Sequence, residues 1–540
     1  MVERRSFSKK GLTPGQWVKI RKIAQILFLG VFLMIFLWSR REFYLNPSLE
    51  SGFKEKLVNL PLQLDPLVMI ANSIASRKVL AGSLLAIITL VITVLLGRVW
   101  CGWFCPMGTI LDWLPLRTWK KTKPVVPESF RGIKYVLLLV ILIAAGLGNL
   151  SLLIFDPLTI GYRTLTAAIW PGLDQLITGA EILLLKIPFL SSIVGGFDSL
   201  IRPTIFPPYP ATYRYGWLYL GFFMAVIGLN AFAPRFWCRY LCPLGGLLGL
   251  LGKVSLVHCE ISANCTQCGV CLPACPTGAI QENGGVYCDP GECTMCLVCK
   301  DDCPSGKVQF PLKTAQFIHQ PYDVNRKKAL LSLGTAVIGV GLLENPWVDQ
   351  KISPVLIRPP GVINDNLLSS CIRCGECSTV CPTNAIQMAV LEGGVDGFWT
   401  PVLVPRIGYC DYSCQACGQV CPVEAIPPLT LEEKRKQIIG KAEIDQNRCL
   451  PWAENQECIV CEEMCPIPDK AIRLEEVHVV TPEGEIKILQ RPHVIQNECI
   501  GCGICENKCP LTGEAAIQIQ IHFGHQRGYQ NHGGGKNQLR

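Results

Sequence analysis

The sequence predicts a multidomain chain in which an α-helical membrane bundle, four helices plus a fifth linking helix, is joined to small α+β modules. Three observations predict it: uncharged apolar runs concentrated in the first half, a repeated cysteine comb ending in Cys-Pro in the second, and an intermediate composition. Hydrophobic residues make up 49% and mean hydropathy is +0.32, which suits a chain lying part in lipid and part in water. Its 540 residues leave room for several domains. The formal charge is +8, but the Lys and Arg gather beside the apolar runs, as in cytoplasmic loops of membrane proteins, which argues against a nucleic-acid partner.

Runs 79–97 and 135–155 contain no charged side chain, and one charge at mid-membrane costs roughly 2.5 to 3.5 kcal/mol on insertion scales. Both are long enough to span a bilayer. Runs 23–38 and 215–233 complete the four, each ending in aromatic or basic residues suited to the interface. A signal peptide is set aside for the first, because Ser39, Arg40 and Arg41 follow it in place of a small-residue cleavage site. The N-terminus carries Arg4, Arg5, Lys9, Lys10, Lys19, Arg21 and Lys22; the connection after the second run carries Arg98, Arg117, Lys120, Lys121, Lys123, Arg131 and Lys134. Positive charge places both in the cytoplasm. Segment 156–214, broken by Pro171, Pro188, Pro203 and Pro207, is expected along the outer surface.

A repeat marks the helix ends: Arg98, Trp100, Cys101, Cys105, Pro106 and Gly108 match Arg235, Trp237, Cys238, Cys242, Pro243 and Gly245. On a helix, i,i+4 spacing stacks the two sulfurs of each pair on one face. Cys101, Cys105, Cys238 and Cys242 are therefore candidate redox or metal thiols, or small buried residues packing beside tryptophan. The sequence leaves both readings open.

Six combs of four take 24 of the 30 cysteines. Cys265, Cys268, Cys271 and Cys275 before Pro276 have the C-x2-C-x2-C-x3-C-P spacing of bacterial ferredoxins, which holds [4Fe-4S] clusters, and Cys293, Cys296, Cys299 and Cys303 repeat it. Three thiolates wrap one cube while the fourth ligates the cube of the partner comb. Zinc usually draws two separated C-x2-C pairs, and disulfides need Cα atoms about 4.4 to 6.8 Å apart with well-aimed side chains. The spacing fits neither. Cys259 and Cys288 lie outside the combs and are assigned to packing.

After Arg326, Lys327 and Lys328 comes a short apolar run, 329–343, expected to cross outward as the fifth helix or a signal anchor. The Arg-Lys pair is like a weakened twin-arginine signal, which places the rest of the chain outside the cytoplasm. That part holds four combs: Cys371, Cys374, Cys377, Cys381; Cys410, Cys414, Cys417, Cys421; Cys449, Cys458, Cys461, Cys465; and Cys499, Cys502, Cys505, Cys509. The outer two are regular and the inner two carry longer first gaps, a pattern that predicts nesting, first with fourth and second with third. Gly269, Gly375, Gly418 and Gly503 are expected where backbone turns tightly. The Cys-Pro-x-x-Ala-Ile tails after Cys275, Cys381 and Cys421 are expected to start short helices. The domains are then 1–257, 258–320, 321–345, 346–521 and a disordered tail, 522–540.

No histidine falls in an expected span, so haem b is not predicted there, and no Cys-x-x-Cys-His offers a c-type haem site. No G-x-G-x-x-G or Walker A run is present. What remains is single-electron transfer through six [4Fe-4S] clusters.

The first half, with two Cys-x3-Cys-Pro motifs ahead of a two-cluster region, resembles NapH. From Arg358 to Ile519 the chain resembles NapG and MauM, on Arg358-Pro-Pro-Gly361, Cys371-Ile-Arg-Cys-Gly375, Trp399-Thr-Pro-Val402 and Pro405-Arg-Ile-Gly-Tyr-Cys410. The resemblance implies a quinol dehydrogenase component of the bacterial inner membrane, multi-pass, with quinol or quinone as substrate. Its first ferredoxin module would be cytoplasmic and its C-terminal array periplasmic, passing electrons from lipid-borne quinol to a periplasmic reductase or cytochrome. Two departures stand out: the halves are joined, and Arg-Lys replaces Arg-Arg, so nitrate reductase is not carried over as the partner. Two other functions fit the same residues, an electron donor for enzyme maturation of MauM type and transfer from a cytoplasmic ferredoxin into quinone.

Overall fold

The computed structural model describes residues 13–45, 52–114, 128–187, 211–282, 285–312, 356–390, 392–394, 397–480 and 486–521, with single positions or short pieces at 189, 191, 194–196, 199 and 334. Run 329–343, apart from position 334, and the tail 522–540 lie outside the described residues, as do Arg4 to Lys10 and Arg117 to Lys123.

All four expected runs are helical, cut differently from expectation. Helix α1, Pro14–Leu45, overruns 23–38 at both ends. Helices α2, Gly52–Gln63, and α3, Pro66–Ser76, follow, and within them Leu57–Gln63 and Pro66–Ser76 form an apolar pair bent by 88°. Run 79–97 is a 3-10 turn, Ala81–Leu85, feeding α4, Ala86–Leu96. Helix α5, Pro106–Trp113, comes next. Run 135–155 is α6, Ile133–Gly146, then a break and the turn Ser151–Phe155. Helix α7, Pro157–Thr164, passes through a π-helical turn, Leu165–Ile169, into α8, Trp170–Leu185. Run 215–233 becomes α9, Gly216–Gly228, and α10, Pro243–Gly252, closes the helical domain.

Among the described residues two helices, Pro14–Arg40 and Pro157–Leu185, are long and apolar enough to cross a membrane. The second falls within segment 156–214, expected along the outer surface, and is a continuous apolar helix over 157–185. Pro171 does not break it, because it sits in the first turn beyond the π-helical bulge, where its missing N–H is tolerated. The helical core around Leu67, Leu138, Phe223 and Leu248 continues into Ile372 and Val423 of the C-terminal array. Rings carry the same contact: Trp237 lies 6.1 Å from Phe222, and Phe222 lies 5.9 Å from Trp399.

The two ferredoxin arrays dock at opposite ends of this domain. At one end Lys134 Nζ donates to Glu292 at 2.5 and 2.6 Å, Arg98 donates to the Gly291 carbonyl at 2.9 Å, and Trp103 Nε1 donates to the Met295 carbonyl at 3.0 Å. Gly102 is required there, since a Cβ would fall 2.1 Å from the Thr294 carbonyl oxygen. At the other end Ser39 donates to Glu376 at 2.9 Å, Asn72 to the Ser370 carbonyl at 2.7 Å, and Arg163 to the Arg373 carbonyl at 3.1 Å. Helix α1 touches both: Gly15 sits against Asp301 and Ser39 against Glu376, a separation of about 36 Å along an α-helix rising 1.5 Å per residue.

The arrays are built of two-stranded antiparallel pairs. In the first, β1 (Glu260–Ile261) pairs with β4 (Val308–Gln309) and β2 (Ile280–Glu282) with β3 (Val286–Cys288). In the second, β5 (Ile386–Met388) pairs with β6 (Pro401–Leu403), β7 (Lys441–Ile444) with β10 (Ile517–Gln520), and β8 (Ile472–Val480) with β9 (Ile486–Val494). The Cys-Pro tails start no helices. Gly278, Asn384 and Glu424 take φ of 61°, 61° and 52°, a left-handed step that ends the turn, and the first two tails run on into β2 and β5.

Replacing Glu292 with alanine would leave Arg98 and Lys134 buried without their shared carboxylate, a loss of about 3 to 5 kcal/mol for a buried ion pair. The expected outcome is release of the first ferredoxin module, read as new protease cleavage between residues 258 and 312 in detergent-solubilised protein; wild-type protection would show that apolar contacts alone hold it.

Candidate cluster sites and the thiol repeat

The C-terminal cysteines line four cavities, each taking three from one comb and the last from another. Cys371, Cys374 and Cys377 meet Cys421; Cys410, Cys414 and Cys417 meet Cys381. Cys449, Cys458 and Cys461 meet Cys509, and Cys499, Cys502 and Cys505 meet Cys465. Pairing is therefore first with second and third with fourth, which corrects the nested order. Irregular gaps suggest nesting, but those gaps are absorbed locally. The extra residue after Cys410 closes a turn in which Ser413 N–H donates to Asp411 Oδ1 at 2.8 Å, with Lys434 bonded to the Asp411 carbonyl. The long gap after Cys449 folds as a helical turn, Leu450–Ala453, pinned to β9 by Trp452 Nε1 on the Pro492 carbonyl at 3.2 Å.

The two pairs join end to end, since Cys410 N–H donates to the Cys502 carbonyl at 2.8 Å and Arg406 donates to the carbonyls of Glu506 and Cys509. The cavities so follow one another in the order Cys374, against the helices, then Cys417, Cys502 and Cys461. In the first module Cys275 lies beside Cys293, Cys296 and Cys299, while Cys271 lies with Cys265 and Cys268. Cys303 contacts the Ser305 hydroxyl at 3.7 Å.

Among the described residues no three His, Cys, Asp or Glu side chains gather in a way that could hold a single metal ion. A cubane is far larger than an ion and needs its four thiolates spread around a cavity. Burial pushes the thiols of Cys461 and Cys502 up to about 12, so a strongly electropositive group is needed to keep them as thiolates. Gly375 and Gly503, at φ 87° and 81°, open the turn before the third cysteine. Gly418 serves differently, since a Cβ there would fall 2.2 Å from the Pro427 carbonyl oxygen. Cys259 and Cys288 pack directly on the second comb: their thiols hydrogen-bond Cys293 and pull it well below the ordinary thiol range.

Cys101, Cys105, Cys238 and Cys242 are all buried and come close enough for each to feel the others' charge. The motif is not a plain α-helix. Trp100–Phe104 and Trp237–Leu241 are π-helical turns, closed by bonds from Cys105 N–H to the Trp100 carbonyl and from Cys242 N–H to that of Trp237, at 3.0 and 2.8 Å. Cys105 and Cys242 then turn extended and cap α5 and α10, and Cys242 Sγ accepts from Gly245 N–H at 3.1 Å. Each motif also lends its arginine to the other. Arg235 bonds the Cys101 carbonyl at 3.1 Å and pairs with Asp112 beyond the first motif, while a Cβ at Gly245 in the second would lie 2.8 Å from Arg98.

Asp65, Asp156 and Arg163, to which the sequence alone assigns no role, are buried as well. A signal was present, because Asp65-Pro66-Leu67 recurs as Asp156-Pro157-Leu158, and Asp before Pro is a helix-start signature.

Comparison with known proteins finds 4Fe-4S family models in both halves of the chain. Models described as 4Fe-4S binding domains match residues 79–124, 215–258 and 261–281, and 4Fe-4S dicluster domains match 289–385 and 370–425. The first covers both Cys-x3-Cys-Pro motifs. The chain is 34% identical over 193 residues to the ferredoxin-type protein NapG of Escherichia coli, covering 34% of this chain and 79% of that protein. It is 33% identical to the methylamine utilization ferredoxin-type protein MauM of Methylorubrum extorquens, covering 36% and 88%. It is 25% identical over 273 residues to the ferredoxin-type protein NapH of Haemophilus influenzae, covering 48% and 75%. No solved structure matches it. The chain thus belongs to the ferredoxin-type family of NapG and MauM, joined in one polypeptide to a NapH-like half, and is an iron–sulfur electron-transfer protein.

Proposed function

We propose that this protein oxidises quinol within a four-helix membrane domain and passes the electrons through six [4Fe-4S] clusters to a periplasmic reductase or cytochrome. The docking of two ferredoxin arrays at opposite ends of one helical domain carries this reading. Their spacing along α1, about 36 Å at 1.5 Å per residue, exceeds the hydrocarbon core of a bilayer, about 30 Å, which supports one array in the cytoplasm and the other in the periplasm. The domain limits 1–257, 258–320, 321–345 and 346–521 belong to the same proposal, with the link 321–345 carrying the chain across.

Each cluster is held by three cysteines of one comb and the last cysteine of its neighbour: Cys265, Cys268, Cys271 with Cys303; Cys293, Cys296, Cys299 with Cys275; and the four sets that line the C-terminal cavities. Bound clusters supply one-electron steps at potentials set by exposure and hydrogen bonding. The protein's own part is to hold them in a line and keep water from the helical junction.

Membrane vesicles test the reading directly. A quinol should reduce the clusters, and serine at Cys101, Cys105, Cys238 or Cys242 should stop that reduction while dithionite still reduces them; normal quinol turnover in these variants would return the four to packing residues. Cluster pairing has its own test. Serine at Cys509 should remove about four irons and the EPR signal of the cluster on Cys449, Cys458 and Cys461. Loss of the signal from Cys371, Cys374 and Cys377 instead would restore the nested order.

A further inference from the structure

The helical domain buries two carboxylates that neither the clusters nor the thiol repeat uses. Asp65 Oδ1 accepts from the N–H groups of Leu67 and Val68 at 2.9 and 3.2 Å. Asp156 Oδ2 accepts from Leu158 and Thr159 at 3.0 and 2.9 Å. Each aspartate so caps a helix whose first residue is proline, and both are 0% exposed. Each keeps a second oxygen, Asp65 Oδ2 and Asp156 Oδ1, buried without a donor, and the two carboxyl groups meet side by side.

Two carboxylates in contact and out of water cannot both ionise. One proton between the unpartnered oxygens satisfies both. The remaining negative charge rests on two helix N-termini and faces Arg163, on the helix that Asp156 begins. Arg163 is itself surrounded by Tyr219, Arg373 and Cys374. It donates to the Arg373 carbonyl, between Cys371 and Cys374, at 3.1 Å, and its guanidinium lies 4.1 Å from the Trp399 ring centre. One arginine therefore joins the carboxyl pair to the loop of the comb nearest the helices.

We propose that Asp65 and Asp156 share one proton and form the proton acceptor for quinol oxidation, beside the cluster site that takes the electron. The inference rests on the quinol reading above. Oxidising quinol to quinone releases two protons and two electrons. In the first half one O–H bond breaks and its proton completes a neutral diacid at the pair; Cys371, Cys374, Cys377 and Cys421 would hold the cluster that would take up the one electron released. With that electron passed on, the pair returns one proton to water. The second O–H bond then breaks in the same way and quinone leaves.

A purely structural pair predicts something different, because asparagine caps helices about as well as aspartate. Asp65→Asn and Asp156→Asn should retain wild-type iron content and dithionite-reducible EPR signals. Quinol-linked cluster reduction should slow about 100-fold, the scale of a lost acid–base group. Infrared difference spectra of the purified protein should show a protonated carboxyl band that both variants lose. Wild-type quinol rates in both variants would overturn the proposal, and so would the absence of that band from wild type, a measurement that decides even if a variant loses iron. A wild-type protein inert to every quinol, yet showing the band and losing it in the variants, would overturn the quinol reading and the acceptor role while leaving the shared proton standing.

Discussion

The length of one helix constrains everything else in the molecule. An α-helix rises 1.5 Å per residue, and α1 touches the first ferredoxin module near Gly15 and the second array at Ser39. The arrays cannot approach each other more closely than that helix allows. What lies between them among the described residues is the helical domain. The thiol repeat sits against the first module through Gly102. Phe222 and Trp237 lead away from it toward Trp399. The docks at both ends are made of buried charge: Glu292 with Lys134 and Arg98 at one, Glu376 with Ser39 and Arg163 with Arg373 at the other. Such contacts fix geometry more than they add stability, which suits a molecule whose parts must stay at set distances.

The helical domain is a duplication held together by exchange. If Arg98 and Arg235 each served its own motif, the two halves could separate without leaving a charge unpaired. Instead Arg235 pairs with Asp112 and bonds Cys101, while Arg98 crosses to Gly245 and on to Gly291 and Glu292. Separating the halves would take Arg235 from Asp112 and leave a buried guanidinium unpaired, at a cost far above that of a lost surface pair. At Gly245 a Cβ would come within 2.8 Å of the crossing Arg98, whereas at the matching Gly108 it would meet the Cys101 carbonyl oxygen at 2.7 Å.

What was legible in the sequence was local. The combs could be read because a cluster imposes its spacing on neighbouring residues, and the apolar runs could be read because lipid excludes charge. What was not legible depended on partners distant in the chain. Cys381 and Cys421 exchange between adjacent combs, which gap lengths alone do not reveal, because the extra residues after Cys410 and Cys449 are taken up in turns that leave the cysteines in place. The i,i+4 thiol pairs looked α-helical, but a π-helical turn is indistinguishable from an α-helix in composition. Prolines at the end of a bulge, as at Pro171, read as breakers although they begin a helix. Asp65 and Asp156 each precede a proline, which is a local helix-start pattern; only tertiary packing shows that the two caps meet.

Exposure gives each array a direction. In the first module the comb facing the helices is enclosed, with Cys293, Cys296 and Cys299 buried, whereas Cys268 in the other comb is exposed beside the exposed Val270. The second array repeats the order. Cys371, Cys374 and Cys377 are buried against the helices, while the far comb leaves Cys458, Cys461 and Cys465 partly open, with Ile459 and Met464 at the surface. Electron exchange with another protein requires close approach, so it can occur at these far ends and not at the enclosed ones. Solvent also moves cluster potentials, and the enclosed combs lie in the drier surroundings, where hydrogen bonds such as those of Cys259 and Cys288 to Cys293 act most strongly. The same packing that holds the arrays to the helical domain therefore also sorts their clusters into shielded inner sites and accessible outer ones.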